Sequence, residues 1–504
     1  MSGDEKVNDH LNDKTTYTRL NEQEACNHLN QIDRDIEAFT KNPNFKLPAH
    51  EKTFITRSHE KVRNRNRTAF LYLTVKIHKS PTKTCPIISY CGSTCEGLAK
   101  WTDNEIKKIT KHMPYVAKSS MDIVKKLKKL APTRKDSLFT MDASAMYTNI
   151  HAGHAIPKII DFLTNHKLGK KIAKKENIHA AALEFAIETI MKNNIFMFGD
   201  TYWLQKTGTA MGTPAAPDYA TLYFAIWEIE IIQKYPELNQ LYSRYIDDGF
   251  GIWTQLKAEE EDEQRWTSFK ADINSYGINH SFFAINKCYK PLNWEFSERS
   301  NNAIYLDLNI SINENSIKTT IYEKKLNLHL YIPPHSCHSP GITKSLIYGA
   351  VNRAKNLCTN QKDMIPYIVK THDRLVARGH NPKDIQLMIK EALATSNNKQ
   401  MNKTSSENKS LFLHLPYNPM DPSSTLIQRA FKDAILHPLN NEHIKNIHPV
   451  PFERLTICYH GQKKLSTALA PRRLRLGGYL VSNYITEKDK EENERNSIQT
   501  LPPS

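Results

Sequence analysis

Apolar and polar residues change rhythm repeatedly along this chain, and each change marks an element. The first 60 residues are mostly polar, with apolar positions at helical spacing in EQEACNHLNQIDRDIEAF. Two apolar-rich runs follow, Ala69 to Ile77 and Pro86 to Tyr90. They read as strands joined by a loop that carries Lys79, Pro81 and Lys83. Helical spacing returns from Gly97 to Leu130 and closes on the basic run VKKLKKL. Asp136 to Ile150 begins as a β-rich run and ends in a turn. Ala180 to Asn194 is helical and leads into IFMFGDTYWLQ, a hairpin turning at Gly199-Asp200. A Gly/Pro-rich loop then opens into an apolar helix from about Pro217. Strands are expected through WEFSE and AIYLDLNISINENSIKTTIYEK, with a turn at Asn313 to Asn315, before a helical region from Gly341 to Thr395. Thr395 to Ser410, rich in Ser, Asn and Lys, reads as a linker. A small mixed segment runs from Leu411 to about Tyr484, and the polar tail reads as disordered.

Between the apolar helix and the later strands sits YIDDGFGIW. Asp247 and Asp248 lie between two short apolar runs with Gly249 next, the pattern of a β-hairpin with both carboxylates at its tip. Two fixed negative charges at a turn repel unless a cation neutralises them, and hard ions such as Mg²⁺ prefer oxygen donors. A plain solvated turn is the competing reading, because Asp also bonds its own backbone in turns.

Composition narrows the field. A chain of 504 residues is too long for one compact domain, and 39% hydrophobic residues suffice for a folded core. Lys and Arg number 69 against 53 Asp and Glu, a net charge of +16 that favours a polyanionic partner such as nucleic acid over a neutral one. A merely basic, solvated surface fits the same totals. The eight cysteines include no CxxC pair. Neither Cys91 with Cys95 nor the His335, Cys337, His338 group completes the two ligand pairs of a zinc site, so reduced thiols are expected. The N-terminus is polar, unlike a signal peptide, and no run of about 18 apolar residues occurs, so no membrane span is expected.

Nucleotidyl transfer on two metal ions needs carboxylates that converge from separate elements. Asp142 ends the apolar run DSLFTMD just before a turn and offers the third carboxylate, although an Asp there also serves as a cap. The loop GTAMGTPAAP, with Gly208 and Gly212, lets the backbone approach a flat base or a phosphate closely. It is not a P-loop, since no Gly-Lys-Ser/Thr follows.

In chain order, MDASAMYTNI, GTAMGTPAAP and YIDD resemble motifs A, B and C of reverse transcriptases, and KIHK with PIIS resembles their fingers motif. The wording is similar to that of Penelope-like retroelement reverse transcriptases, relatives of telomerase. YLDLNI at Tyr305, IPPHSCHSP at Ile332, RLVARGH at Arg374 and PFERLTICYHGQKKLSTAL at Pro451 support the likeness, which spans roughly residues 15 to 475. It implies an α+β right-hand polymerase. An N-terminal helical extension (1–60) would precede fingers (61–135), a ferredoxin-like palm with a fingers insertion (136–323) and a helical thumb (324–395). The linker (396–410) and a C-terminal accessory segment (411–504) would follow, with APRRLRL at Ala470 either an RNA-binding run or a solvated helix.

The same resemblance implies roles. Asp142 and Asp247 would bind two Mg²⁺ ions, with Mn²⁺ as a substitute, and Asp248 would complete the acidic cluster. Ala143 would lend its carbonyl to the nucleotide-side metal. Tyr147 would exclude a ribose 2′-hydroxyl, and Met211 and Gly212 would lie under the nucleotide and template base. Lys76 and Lys79 would sit near the triphosphate, where positive charge stabilises the transfer. The activity implied is RNA-directed DNA polymerisation, with a template RNA, a DNA primer and deoxynucleoside triphosphates as partners. A nuclear location follows from that role, with basic runs near Lys125 and Lys170 as import signals. One position departs from the family: Cys85 stands where an Arg is usual, and a thiol cannot make bidentate phosphate contacts. The chain is also expected to lack the GIY-YIG endonuclease and the upstream Asp-Lys-Gly segment that many members carry. An inactive RNA-binding descendant and an RNA-dependent RNA polymerase are the rival readings, and Tyr147 speaks against the second.

Overall fold

A computed structural model describes residues 7, 9–63, 68–76, 83–144, 146–275, 292–313, 316–324, 327–339, 341–395, 410–418, 420–436 and 454–460. Lys79, nearly all of the linker, the basic run at Ala470 and the polar tail lie outside the described residues. Internal contacts divide the chain into two compact units, Met1–Tyr322 and Glu323–Arg473.

The first unit begins with β1 (Tyr17–Leu20), α1 (Glu22–Lys41), α2 (Ala49–Arg63), β2 (Ala69–Lys76), β3 (Lys83–Ser89), α3 (Glu96–Thr110) and α4 (Ser120–Leu127). Strand β4 (Asp136–Ser144) follows, then α5 (Met146–Asn149), α6 (Ala152–Thr164), α7 (Lys167–Glu176), α8 (Ala180–Lys192) and the hairpin β5 (Asn194–Phe198) with β6 (Thr201–Gln205). Next come α9 (Ala216–Ile232), β7 (Leu241–Tyr245), β8 (Asp248–Thr254), α10 (Glu259–Asn274) and β9 (Asn293–Phe296). The meander β10 (Asn302–Tyr305), β11 (Leu308–Asn313) and β12 (Ser316–Ile321) closes the unit.

Two helices show how pattern sets position. α1 starts at a capping box: the Glu24 N–H donates to the Asn21 side chain and the Asn21 N–H donates to the Glu24 carboxylate. Its single apolar stripe, Ala25, Ile32, Ile36 and Phe39, faces inward. α9 has no polar stripe, buries 13 of its 17 residues and is the central helix of the unit.

The sheet that matters for function is antiparallel, in the order β7-β8-β4-β9. Along the chain its parts run β4, α9, β7, β8, α10, β9, the β-α-β-β-α-β order of a ferredoxin-like unit, with α5 to α8 and the β5–β6 hairpin inserted after β4. Both helices cover one face. Phe139 packs on Trp266 and Phe269 of α10 at ring distances of 4.9 and 5.8 Å, and Trp294 packs on Phe224 of α9 at 4.7 Å. On the opposite face Leu138, Phe250 and Ile252 are buried. The meander covers that face, with Tyr305 stacked on Phe250 at 5.2 Å. The cover stops short of the strand end, where Asp142 is exposed. The architecture is thus α+β, with the sheet order expected of the palm.

A second sheet, β1-β6-β5-β2-β3, carries the β2–β3 hairpin on one side. Here the structure corrects the reading of the first 60 residues as helical throughout. Tyr17–Leu20 is a strand, paired with Gln205–Tyr202 of β6. Four residues are too few for a period to declare itself, and the partner strand supplies the hydrogen bonds that decide the conformation.

The second unit contains α11 (Ile342–Leu357), α12 (Gln361–Ala377) and α13 (Pro382–Ala394), packed on one another. Ile347, Val351, Ala354 and Leu357 form the buried stripe of α11, and Met364, Ile368, Thr371 and Leu375 that of α12. Arg374 grips Glu323 with both nitrogens of its fork, at 2.6 and 3.0 Å. Farther along, β13 (Ser410–Pro416) pairs in parallel with β14 (Arg454–His460), and α14 (Ser424–Leu436) lies between them in sequence.

Candidate active site

Strands β7 and β8 pair up to Tyr245 opposite Asp248, which leaves Ile246 and Asp247 as a two-residue turn. Ile246 has φ +54° and Asp247 does not share the positive sign, the pattern of a type II′ turn whose first position is normally glycine. A β-branched residue there costs on the order of 1–3 kcal/mol and persists only where its surroundings impose it. They do: the Arg244 guanidinium donates to the Ile246 carbonyl at 2.6 Å.

Strand β4 runs alongside. Asp142 pairs in register with Asp248 on one side and with Glu295 of β9 on the other. Residues directly opposite in an antiparallel sheet share a face, so three carboxylates form a row across β8, β4 and β9. The Ala143 N–H donates to the Asp247 carbonyl at 2.9 Å and ties the turn to β4. The structure therefore brings Asp142, Ala143, Asp247 and Asp248 into one place. Asp142, Asp248 and Glu295 also line a cavity of about 290 Å³, whose far wall is Ile304, Tyr305 and Leu306.

Among the described residues no three His, Cys, Asp or Glu side chains close into a metal cage. The donor chemistry nonetheless suits Mg²⁺. This ion keeps several waters and binds through one or two carboxylates plus substrate phosphates, so an open row of hard oxygen donors fits it better than a preformed cage would.

Tyr305 backs the hairpin from the meander side. Its hydroxyl points at the Asp248 and Ser243 carbonyls, at 3.4 and 3.5 Å. Burial, then the negative charge of Asp248, push its phenol well above the ordinary range. Tyr147 stands on the first turn of α5, half-buried. Its phenol is pushed up to about 12, by burial first and then by the charges of Asp247 and Asp218.

The Gly-rich loop is wedged between α5 and β3. The Thr209 N–H donates to the Tyr147 carbonyl at 2.6 Å, and the Ile88 N–H donates to the Met211 carbonyl at 2.7 Å. A Cβ on Gly208 (φ +74°) would lie 2.6 Å from the Thr148 Cα, and one on Gly212 (φ +117°) would lie 2.2 Å from the Ile88 carbonyl oxygen. Only glycine satisfies both the dihedral and the approach at these positions. Cys85 Sγ lies 3.5 Å from Met211 Sδ, so this thiol packs against the loop. Of the two lysines expected near the triphosphate, Lys76 ends β2, in register with Lys83, and Lys79 is outside the described residues.

Two features were not foreseen from the residues. Glu295 sat in an ordinary strand sequence, and only the β4–β9 register reveals it beside Asp142. The Arg244–Glu228 pair is fully buried. Its trace in the sequence is Glu228 and Glu230 within the apolar run AIWEIEII and Arg244 within LYSRYI; charges inside apolar runs signal pairing because buried charges need partners.

Among the described residues no helix is long and apolar enough to cross a membrane. No protein-family model matches the chain, and no curated protein matches it in sequence. Solved structures do resemble it. Telomerase from Candida albicans, in complex with a fragment of telomeric RNA, is 9% identical with a TM-score of 0.42, covering 66% of this chain and 57% of that one. Apo telomerase from Candida tropicalis is 10% identical with a TM-score of 0.38, covering 65% and 58%. The Sicinivirus RNA-dependent RNA polymerase is 11% identical with a TM-score of 0.33, covering 68% and 71%. The chain spans less than two thirds of the length of either telomerase, and likenesses of this size fix neither activity nor substrate.

Proposed function

We propose that the protein is an RNA-directed DNA polymerase of the Penelope-like retroelement type, acting in the nucleus on a template RNA and a DNA primer. The observation that carries the reading is the β4–β8 register. It sets Asp142 opposite Asp248 and bonds the Asp247 carbonyl to the Ala143 N–H, so carboxylates from two strands face one point. Asp142, Asp247 and Asp248 would hold two Mg²⁺ ions, which when bound activate the primer hydroxyl and stabilise the leaving pyrophosphate.

The chain's own residues do the rest. The row of carboxylates fixes where the α-phosphate of a deoxynucleotide meets the primer 3′-hydroxyl. Tyr147, on the first turn of α5 and neutral at physiological pH, would bar a ribose 2′-hydroxyl by its bulk. The backbone of Met211 and Gly212, with the Met211 carbonyl bonded to Ile88 of β3, would form the floor under the base pair. The cavity lined by Asp142 and Tyr305 would receive the primer terminus. An inactive RNA-binding descendant is the second reading, favoured by Cys85. Primer extension on an RNA template with deoxynucleotides and Mg²⁺ separates the two. Extension lost in Asp247→Ala is the expected result; tight template-primer binding without extension would replace the first reading with the second.

A further inference from the structure

The turn that carries the aspartates is not held by its own sequence. Ile246 occupies a glycine position, and its conformation is imposed by a residue two places earlier. The Arg244 side chain is 0% exposed, as is that of Glu228. Arg244 Nε and Nη2 donate to Glu228 Oε1 and Oε2 at 2.7 Å each. Nη2 also donates to the Thr221 carbonyl at 3.1 Å, and Nη1 donates to the Ile246 carbonyl at 2.6 Å. Glu228 is oriented in turn by the Tyr242 hydroxyl, which donates to Oε1 at 2.7 Å. Glu228 belongs to α9, the most buried helix of the unit, so the clamp is anchored in the core.

Such a pair is a poor source of stability, since desolvating both charges offsets most of their attraction and apolar replacements often do as well. What apolar replacements cannot do is donate a hydrogen bond to a turn carbonyl. We propose that Arg244 is a positioning residue. Locked to Glu228, it holds the Ile246 carbonyl and so keeps the turn in the conformation that aims Asp247 and Asp248 at the Asp142 strand. Arg244 touches neither substrate nor metal; it acts through the turn. The kinetic part of its test rests on the polymerase reading, and the structural part does not.

The test compares Arg244→Lys, Ile246→Gly and the double variant in the full chain. Lysine keeps the charge but cannot bridge Glu228 and the Ile246 carbonyl with one planar fork. A misplacement of about 1 Å costs up to about 10²-fold, so kcat for extension should fall about 30-fold in Arg244→Lys with the nucleotide KM within about twofold. In the Ile246→Gly background, where the turn needs no holding, the same change should cost only about threefold. Equal losses in both backgrounds, or a loss accounted for by fewer active sites on titration, would overturn the proposal. Amide deuterium exchange across residues 243–249 reads the turn directly, whatever the activity. Faster exchange confined to that hairpin is expected in Arg244→Lys. Should Arg244→Lys fail to fold, Tyr242→Phe loosens Glu228 without stranding a charge, and the same local increase is expected. Unchanged hairpin exchange in a folded variant sinks the idea. If the unmodified chain extends no primer, the polymerase reading fails and the exchange experiment still decides the positioning role.

Discussion

The first unit carries two hairpins near the site, and they are built on opposite plans. The β7–β8 hairpin is fixed from every side: Arg244 and Glu228 from beneath, Tyr305 from the meander, Ala143 from β4. The β2–β3 hairpin lies at one end of its sheet and leaves Phe70, Tyr72 and Val75 exposed at 50%, 45% and 56%. A hairpin that must hold carboxylates in register is over-determined by buried contacts, whereas the other leaves its aromatic face open and is held by strand pairing, by its buried residues Leu71 and Ile88 and by the Ile88–Met211 hydrogen bond. The difference suggests that chemistry is concentrated where the backbone is immobilised, and it can be broken at several points.

The largest effect is expected at the carboxylate row. Asp142→Asn should lower single-turnover extension by about 10³-fold or more, the scale of losing a group that stabilises transition-state charge, with template binding unchanged by filter retention. A drop below about tenfold would remove Asp142 from the chemistry. Beneath the same hairpin, Glu228→Ala strands the Arg244 charge in the core. Urea unfolding should show a loss of about 3–5 kcal/mol; a loss under about 1 kcal/mol would mean that the pair is not buried as described. Tyr147→Ala should raise ribonucleotide incorporation relative to deoxynucleotide by about tenfold or more, measured as a ratio of kcat/KM values, and an unchanged ratio would leave Tyr147 a packing residue.

The open hairpin supplies the contrasting small effect. Phe70→Ser should shift stability by no more than about 0.5 kcal/mol, as for surface positions generally; a larger loss would show that the face is covered. Tyr147 also provides a pH test. Its phenol is held at about 12 against an ordinary 10.0, so above pH 10 the unfolded chain releases a proton that the folded chain retains. Stability from this group is complete below pH 10 and is lost as pH rises towards 12. The urea midpoint of the unmodified chain should fall through that window more steeply than that of Tyr147→Phe, and parallel curves would count against the shift.

Much of the site was legible in the residues. YIDDGFGIW announced a hairpin because apolar runs on both sides of a two-residue turn admit few other conformations. Gly208 and Gly212 were expected to let the backbone approach a base or a phosphate; what the structure shows is both at positive φ against the chain's own backbone at Thr148 and Ile88. The helix expected from about Pro217 is present as Ala216–Ile232. Each of these signals is local, with cause and consequence within a few residues. The strand Tyr17–Leu20 was illegible because its conformation is set by β6, far along the chain.

What the amino-acid order determined by itself, then, is most of the elements and the chemical character of three places: Asp142, the Asp247-Asp248 turn, and the glycines of the loop. What the tertiary structure alone decided is register and pairing. A shift of one residue between β4 and β8 would send Asp142 to the helix-covered face, because side chains alternate along a strand. The observed register instead sets it between Asp248 and Glu295. Likewise Arg244 and Glu228 lie on a strand and a helix, and only the packing of α9 beneath the sheet brings them to 2.7 Å. Local propensity carries no information about which distant backbone a strand will meet, and that meeting is what turns scattered carboxylates into a site.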